Sequence, residues 1–497
     1  MFKVAFICPG YENLGLEYLS AVLKKEGFSV ELFLDPILFA ESGFIKNPVL
    51  KNIFCFKEQL LKELVTFAPS LVGIPVLSDN FPWAQDWVKE IKAVLDVPVI
   101  FGGIHPSSVP FKVLASSQVD YVCVGEGEKP LRDLCQALQN REDTTKIPQI
   151  LTRSCSDPER EFLLQGVDIN KIPFPDKELF YPKYPFFNSG YITTASRGCV
   201  FKCAYCCNNV WYKRYQGKFY RRRSVPNIIE ELVQAKQKYA PAYIHFTDEI
   251  FNVEPEWLGA FVEEYKKAVA LPFDCYIYPD LVTDEVARKL KEGGCFKVQM
   301  GVQTFDQNLR ENFLSRKSDN AKIGEVINTF KKLNIFVACD NILGIPGEKE
   351  EGLTELIKFY HRYTPDSCEL FWLKFYPGTD ITEESFKEGI ISSDEYLEIE
   401  ERSLADGLMT QGRLGAENKF IKKYILWLKL LPGLKSKTRE WIIKSRIFKL
   451  FPYLPLSLLI ILNKFFKRAR YDIYTERAYK RYKYFIYRKL LGKKQNL

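Results

Sequence analysis

Short apolar runs alternate with helical patterns over about the first 140 residues. Between the first two runs, Leu16, Leu19 and Leu23 fall on one face of a predicted helix that stops at Gly27. Such alternation predicts an open α/β domain, because parallel strands need crossover connections that cover the sheet with helices. The five predicted strands are Lys3–Cys8, Val30–Phe33, Leu71–Pro75, Val97–Phe101 and Tyr121–Val124.

Glycines mark the carboxyl ends of several of these predicted strands. Gly10 follows the first strand, Gly102 and Gly103 the fourth, and Gly125 and Gly127 the fifth. In open α/β sheets, ligands bind outside the carboxyl ends of the strands. Because glycine lets a ligand approach the backbone closely, this edge of the sheet is a predicted binding site.

A second alternating series begins near residue 191. Six strand–helix units in a row predict a partial or full α/β barrel, whose active site would lie at the C-terminal strand ends. The predicted strands are Ile192–Ala195, Tyr243–Thr247, Phe273–Ile277, Lys297–Val302, Phe336–Leu343 and Leu370–Phe375.

The segments around the two series differ in composition. Prolines gather between them in IPFPDKELFYPKYPF, which is typical of a linker on the surface. The chain therefore divides into five predicted parts: an open α/β domain (1–140), a linker (141–190), a barrel (191–380), a connecting helical segment (381–418) and a basic helical tail (419–497).

The chain has thirteen cysteines, and its start, MFKVAFICPG, enters a strand without the pattern of a secretory signal. We therefore expect a cytoplasmic protein. Cytosolic thiols are kept reduced, so disulfides are a poor explanation for the cysteines and metal binding or burial a better one. Most of them sit singly in apolar settings and need no function.

One cluster of cysteines stands apart. Cys199, Cys203 and Cys206 form C-x3-C-x2-C directly after the first predicted barrel strand. Thiolates suit iron–sulfur clusters, and a short loop brings them together at little entropic cost. A four-iron cluster with three protein ligands leaves one iron open to a small ligand. Buried structural cysteines, or a zinc site with Cys207 as fourth ligand, are the alternatives.

The C-x3-C-x-aromatic-C motif at the end of a first barrel strand resembles the signature of the radical SAM superfamily, and further matches extend over about residues 190–380. The resemblance implies that the three cysteines hold a [4Fe–4S] cluster and that S-adenosylmethionine binds its open iron. It also implies that Tyr205 packs near the adenine of that cofactor. Cys207 lies outside the pattern and has no assigned role.

Later strand ends resemble other S-adenosylmethionine contacts of this superfamily. HFTDEIF is similar to the acidic motif that receives the methionine amino group, KVQMGVQTFD to polar contacts with ribose or carboxylate, and NILGIPGEKEE to the turn beside the adenine. A helix cap, ordinary strand-end amides and a simple proline–glycine turn are the alternatives. The implied contacts are Asp248, Glu249, Gln299, Gln303, Gly344 and Gly347.

The first 140 residues resemble the cobalamin-binding domain that precedes many radical SAM domains, chiefly through GGIHPSSVP and DYVCVGEGE. The alternative is that these glycines only turn strands into helices. The implied contacts with the corrin or its nucleotide tail are Gly102, Gly103, His105, Gly125, Glu126 and Gly127.

One departure from that family concerns the cobalt ligand. Cobalamin domains that ligate cobalt carry D-x-H-x-x-G after the first strand, whereas this chain has PGYENLG there. No histidine of this loop would therefore ligate the cobalt. His105 follows a different strand and is either a pocket residue or a structural one.

The tail carries the positive charge of the chain. Residues 419–497 contain 22 Lys and Arg against 3 Asp and Glu, whereas residues 1–418 contain 48 against 59. Basic residues interleaved with aromatic and apolar ones at helical spacing are typical of helices in a membrane interface. The longest apolar run, Leu454–Leu462, is too short to span a bilayer and contains Pro455. A cap on the barrel is one alternative; nucleic-acid binding is another, disfavoured by the many Leu and Ile residues.

These features predict a radical SAM enzyme that needs an external electron donor. The leading hypothesis is cobalamin-dependent transfer of a methyl group to an unactivated carbon. The tail suggests a lipid-like small-molecule substrate and a peripheral contact with the inner face of the membrane. Radical cyclisation, rearrangement or oxidation is the alternative enzyme hypothesis, and a non-catalytic iron–sulfur electron carrier is the alternative of another class. The sequence identifies no catalytic residue beyond these candidate cofactor contacts.

Overall fold

The computed structural model describes residues 1–40, 47–154, 162, 164–401, 421–447 and 473–491. These residues form two six-stranded sheets and a two-stranded antiparallel sheet. The strands are β1 Lys3–Pro9, β2 Ser29–Asp35, β3 Leu71–Pro75, β4 Val99–Gly102, β5 Tyr121–Cys123, β6 Ile150–Thr152, β7 Tyr191–Thr193, β8 Ser196–Arg197, β9 Arg221–Arg222, β10 Ile244–Phe246, β11 Phe273–Ile277, β12 Cys295–Gln303, β13 Phe336–Leu343 and β14 Ser367–Trp372.

The first sheet has the order β2-β1-β3-β4-β5-β6. Its first five strands in sequence are parallel, as predicted, and β6 is added antiparallel to β5. The connections diverge between β1 and β3, which opens a crevice at the carboxyl ends of those strands. The helices of this region are α1 Leu14–Lys25, α2 Pro48–Ile53, α3 Lys57–Phe67, α4 Phe81–Val94, α5 Ile104–Ser108, α6 Pro110–Ser116 and α7 Glu128–Asn140.

Helix α1 shows how the sequence encodes this region. The Asn13 side chain accepts a hydrogen bond from the Leu16 amide and caps the first turn. Leu16 and Leu23 are buried on one face. The helix ends before Gly27, whose φ of +86° suits glycine. The predicted helix and its stop are confirmed.

The second sheet has the order β14-β13-β12-β11-β10-β7, with every neighbouring pair parallel. Strands β7 and β14 form its two edges, so the barrel is partial. Along β12, Val298, Met300 and Val302 are buried, while the alternate residues face the other side. The helices around it are α8 Cys207–Arg214, α9 Val225–Tyr239, α10 Pro255–Ala268, α11 Asp284–Glu292, α12 Asn320–Lys332, α13 Glu350–Arg362, α14 Asp380–Lys387 and α15 Ser393–Glu401.

The proline-rich segment between the sheets is buried where we expected a surface linker. Phe180 and Phe187 are almost fully buried. Lys177 Nζ lies 2.7 Å from Glu12 Oε1 and 2.5 Å from Glu17 Oε2, with all three side chains inaccessible. The surface expectation is therefore wrong for this part, because its aromatic side chains pack against one another and against Tyr484 and Phe485 near the end of the chain. The five domain boundaries themselves stay predictions.

Three described helices belong to the basic tail: α16 Ile421–Leu430, α17 Ser436–Ser445 and α18 Ile473–Leu491. Helix α16 packs against α13 and β14. In α18, Arg477 pairs with Glu12 and donates to the Gly190 carbonyl, and Phe485 packs edge-on against Phe56. The described part of the tail therefore caps the two α/β regions, which is one of the predicted alternatives.

No helix within the described ranges is both long and apolar enough to cross a bilayer. The apolar run Leu454–Leu462 lies outside the described residues.

Candidate cofactor-binding site

The three motif cysteines lie in the loop that joins β8 to α8. The loop starts at Gly198, which has a φ of +80° and whose Cβ, if present, would lie 2.4 Å from the Phe219 carbonyl oxygen. Only glycine fits where the end of β8 passes so close to the segment before β9. Further along, the Ala204 amide donates to the Leu314 carbonyl at 3.0 Å, and the Ala204 carbonyl accepts from the Ile381 amide at 3.1 Å. The cysteine loop is thus anchored to segments that follow later barrel strands.

The thiols of this loop influence one another electrostatically. Burial, followed by Glu249 and the other two cysteines, raises the pKa of Cys199 to about 12. A hydrogen bond with Cys207, and then burial, raises the pKa of Cys206 well above its ordinary value. Burial also raises the pKa of Cys203, and Arg316 opposes that shift. Metal binding must therefore release protons from these thiols.

The donor set suits an iron–sulfur cluster. Three soft thiols share one short loop, which fits a cluster with one iron free of protein ligands. Among the described residues, no three His, Cys, Asp or Glu side chains are already gathered in a metal-binding geometry. The loop brings the thiols within mutual reach, and the cluster would draw them together.

Arg316, which the sequence did not indicate, reaches this loop. Its Nη1 lies 3.9 Å from Cys203 Sγ, and its Nη2 donates to the Gly301 carbonyl at 2.9 Å. The guanidinium lies 4.3 Å from the ring centre of Tyr278, which stacks on Phe201. These contacts join residues far apart in sequence, so no local pattern could reveal them.

The two predicted acidic contacts differ in their surroundings. Asp248 is buried and accepts hydrogen bonds from the Ala195 amide, at 2.9 Å, and from the Ser196 hydroxyl. It therefore fixes the backbone that leads into the cysteine loop. Glu249 is exposed and lies close enough to Cys199 and Cys206 to raise the pKa of both. Of the two carboxylates, Glu249 is placed to meet a ligand at the loop.

The two predicted amide contacts on β12, Gln299 and Gln303, also differ in their surroundings. Gln299 donates through Nε2 to both carboxylate oxygens of Asp340, at 2.9 and 3.1 Å. Burial raises the pKa of Asp340 to about 7. Gln303 ends the strand at an irregularity of the pairing and has a φ of +67°. A non-glycine residue in this conformation is strained, which is common at binding sites.

The glycine turn after β13 is held by a hydrogen bond between its own residues. Gly344 and Gly347 have φ values of +75° and +80°. The Glu348 carboxylate accepts a hydrogen bond from the Gly344 amide at 2.8 Å, and burial raises the pKa of Glu348 to about 7. Tyr205 packs against the small apolar cluster that contains Ile345 of this turn. The structure thus brings together the two elements that were predicted to flank the adenine.

A cavity of about 420 Å³ opens at the carboxyl ends of β1, β3, β4 and β5. A Cβ added at Gly102 would meet only Cys123, at 3.7 Å, so the space over Gly102 belongs to the cavity. The apolar, glycine-lined walls fit part of a large organic cofactor such as cobalamin. Five of the six predicted cobalamin contacts line it: Gly102, Gly103, Gly125, Glu126 and Gly127.

His105 is not on the cavity wall. It is fully buried, its Nδ1 lies 3.0 Å from Ser78 Oγ, and its ring packs on Phe81. Burial lowers the pKa of His105 to about 4. Of the two predicted roles for His105, pocket residue or structural residue, its burial therefore favours the structural one. Asn13, which caps α1, and the first two turns of that helix, including Tyr18, line the cavity instead, and only their position after β1 hinted at that.

The rim of the cavity is tied to the cysteine loop. Glu126 accepts hydrogen bonds from Arg221 and from the Val167 amide, and Arg197 Nη2 lies 2.5 Å from Glu128 Oε1. Burial favours a higher pKa for Glu126, but Arg221 and Arg197 hold it below its ordinary value. Glu126 thus links the cavity to the strand pair beside the cysteine loop. Arg197, two residues before Cys199, also lines the cavity.

Comparisons with known proteins agree with this arrangement. Residues 193–360 match the family model of the radical SAM superfamily, and residues 7–135 match that of the B12 binding domain. The radical SAM domain implies a [4Fe–4S] cluster and S-adenosylmethionine, and the B12 binding domain implies cobalamin.

Several curated proteins are similar along most of their length. An uncharacterized methyltransferase of Pyrococcus horikoshii is 25% identical over 391 residues, which cover 76% of this chain and 79% of the relative. A hopanoid C-3 methylase of Methylococcus capsulatus is 24% identical over 381 residues, covering 74% and 68%. An anaerobic magnesium-protoporphyrin IX monomethyl ester cyclase of Rubrivivax gelatinosus is 21% identical over 406 residues, covering 77% and 70%.

Solved structures share the fold. The cobalamin-dependent S-adenosylmethionine radical enzyme OxsB with aqua-cobalamin bound superposes with a TM-score of 0.67 and 17% identity, covering 99% of this chain and 80% of that one. The radical S-adenosylmethionine methyltransferase TsrM of Kitasatospora setae, with cobalamin and a [4Fe–4S] cluster bound, gives 0.63 and 18%, covering 79% and 80%. The predicted α/β fold class is confirmed, and with both family matches in place, this chain carries a radical SAM domain and an N-terminal B12-binding domain.

Proposed function

We propose that this protein is a cobalamin-dependent radical SAM methyltransferase that methylates an unactivated carbon of a small molecule. The observation that carries the proposal is the shared wall between the two cofactor regions. Thr194 and Arg197, which lead into the cysteine loop, also line the glycine-rich cavity of the front domain. A substrate at the mouth of the barrel would then lie within reach of both cofactors.

The chain's own residues would hold and orient these cofactors. Cys199, Cys203 and Cys206 would ligate the cluster, and Glu249 would receive the methionine amino group. Tyr205 and the turn at Gly344 and Gly347 would flank the adenine, with Gln303 at the adjoining strand end. When bound, the reduced cluster supplies the electron that splits S-adenosylmethionine into methionine and a 5′-deoxyadenosyl radical, and cobalamin supplies methyl-transfer chemistry.

Two of the relatives support methylation by their names, and one supports the rival outcome. The Pyrococcus relative is called a methyltransferase and the Methylococcus relative a hopanoid methylase. The Rubrivivax relative is a cyclase. Radical cyclisation, rearrangement or oxidation therefore stays the second candidate.

Product analysis separates these candidates. The full chain would be reconstituted anaerobically with iron, sulfide and hydroxocobalamin, then incubated with methyl-13C S-adenosylmethionine, dithionite and an extract of cells that lack the protein. An S-adenosylmethionine that donates its methyl leaves S-adenosylhomocysteine, whereas one that is split reductively leaves 5′-deoxyadenosine and methionine. We expect both products and a small molecule that carries the 13C label.

Other outcomes contradict methylation. Formation of 5′-deoxyadenosine without label in a product would favour the cyclase-type chemistry, and formation of neither would favour an electron carrier. Cys203→Ala should abolish turnover. Cys207→Ala, which changes the neighbouring cysteine outside the motif, is the matched control and should keep the cluster.

A lipid-like substrate and a peripheral membrane contact form the finer part of the proposal. Described residues of the basic tail expose Trp441, Leu490 and Leu491, each more than half accessible. Basic residues beside exposed apolar ones favour an anionic bilayer surface. In flotation with vesicles of phosphatidylserine and phosphatidylcholine, the full chain should float. The triple serine variant at these positions should float less, and Val49→Ser, at an exposed valine of the front domain, should behave as wild type. Equal flotation of all three would contradict the membrane contact.

A further inference from the structure

Arg316 places a fixed guanidinium beside a cluster ligand. The side chain is 7% exposed, and its Nη1 lies 3.9 Å from Cys203 Sγ. The Gly301 carbonyl holds Nη2 at 2.9 Å, and the Tyr278 ring lies 4.3 Å below the guanidinium. Phe201, from the cysteine loop itself, stacks on Tyr278 with ring centres 3.8 Å apart. The arginine is therefore held in place on two sides.

Its surroundings differ from those of nearby buried arginines. Arg222 lies 3.5 Å from the Asp248 carboxylate, and Arg223 lies 2.5 Å from that of Glu231. Arg316 instead faces the sulfur of Cys203, and its Nε has no hydrogen-bond partner among the residues that the structure describes. A π-helical turn, Leu309–Phe313, leads into this position; such turns are frequent at functional sites.

We propose that Arg316 is a positioning residue that stabilises the reduced cluster and so raises its reduction potential. Reduction adds one electron, from an external donor, to the cluster and makes it more negative by one charge. A fixed positive charge near a ligand sulfur lowers the energy of the reduced form more than that of the oxidised form. The inference requires the cluster but neither methyl transfer nor a known substrate.

The test is an EPR-monitored redox titration of the reconstituted full chain without S-adenosylmethionine. At a given potential, Arg316→Gln should lower the ratio of reduced to oxidised cluster about tenfold, which is a shift of about 59 mV to more negative potential. Arg316→Lys keeps the charge and should recover most of that shift. Arg310→Gln is the control, because Arg310 is also buried in the same loop but donates to the Thr304 and Ser318 carbonyls.

A second measurement does not depend on a variant. In wild-type protein labelled with 15N-arginine, pulsed EPR of the reduced cluster should reveal coupling to 15N. Absence of that coupling would overturn the proposal, as would an unchanged potential in an Arg316→Gln protein with full iron content. An equal shift in Arg310→Gln would also overturn it. So would an unchanged potential combined with weaker S-adenosylmethionine binding, since Arg316 would then serve the cofactor's carboxylate.

Discussion

The front cavity and the cysteine loop are adjacent binding regions that are prepared for their ligands in different ways. The cavity has walls of glycine backbone and apolar side chains, and its volume of about 420 Å³ is already open. In the loop, the Cys199 and Cys206 thiols have raised pKa values. Packing alone can build an apolar cavity, whereas a thiolate site is completed by the metal that displaces its protons.

Loss of a cluster ligand should abolish the chemistry at the cysteine loop and leave cobalamin binding in the cavity unchanged. Replacing Cys199, Cys203 or Cys206 by alanine should lower 5′-deoxyadenosine formation at least about a thousandfold, or about 4 kcal/mol in transition-state free energy. Cobalamin retention, measured by visible absorbance after gel filtration, should match wild type because the cavity walls are unchanged. Joint loss of both cofactors would contradict the independence of the two regions.

Arg197 joins the two regions, so its removal should destabilise both. Arg197→Met leaves Glu128, 6% exposed, without its partner at 2.5 Å. Breaking a buried ion pair in this way costs about 3 to 5 kcal/mol in the free energy of unfolding. Urea denaturation measures that loss.

The matched control is Arg132→Met, at a more exposed ion pair with Asp133. It should cost less than about 1 kcal/mol. Equal losses in the two variants would show that Arg197 does not join the regions.

Glu348 should make the stability of the barrel side depend on pH. Its folded pKa of about 7 lies above its ordinary value of 4.5 because of burial. A raised folded pKa stabilises the fold fully below the unfolded pKa, and this contribution is lost as pH rises through about 7. Between pH 5 and pH 8, the unfolding free energy of wild type should therefore fall by up to about 3 kcal/mol relative to Glu348→Gln.

Urea denaturation at several pH values checks this prediction. Glu142→Gln, at an exposed site, serves as the control and should follow wild type. Parallel pH curves for wild type and Glu348→Gln would contradict the assigned role of burial.

Filling the cavity should have the smallest effect. In contrast to the cysteine variants, it should weaken cobalamin binding and leave the iron–sulfur cluster in place. Gly102→Leu projects into the space beside Cys123 and should weaken cobalamin binding about tenfold to a hundredfold, while the iron content stays at the wild-type value. Gly259→Leu, at a helical position with open space around it, should bind cobalamin normally. Titration of hydroxocobalamin, followed by visible absorbance, distinguishes the two. Normal binding by Gly102→Leu would place the cofactor elsewhere.

The sequence predicted the strands of both sheets because their apolar runs are long and punctuated by glycine or polar turns. It missed β6, since Ile150–Thr152 is only three residues long and joins the edge antiparallel. It predicted the cysteines as cluster ligands from their spacing and from the resemblance to the radical SAM signature. It could not predict Arg316, whose contacts with Cys203 and Gly301 depend on tertiary structure.

Burial explains one wrong expectation and one open question. Prolines around Lys177 suggested a surface linker, and the sequence left His105 as either a pocket residue or a structural one. Both residues are buried. Local composition indicates where the chain turns, but the packing of distant segments decides which side chains become inaccessible.

The central claim is that three thiolates hold a four-iron cluster with one iron open to S-adenosylmethionine. EPR of the anaerobically reconstituted and dithionite-reduced full chain, with and without S-adenosylmethionine, tests it directly. We expect a four-iron signal whose g values change when the cofactor is added, and no such signal in the Cys199→Ala, Cys203→Ala, Cys206→Ala triple variant. A missing signal in the wild type, or a spectrum that S-adenosylmethionine leaves unchanged, would contradict it.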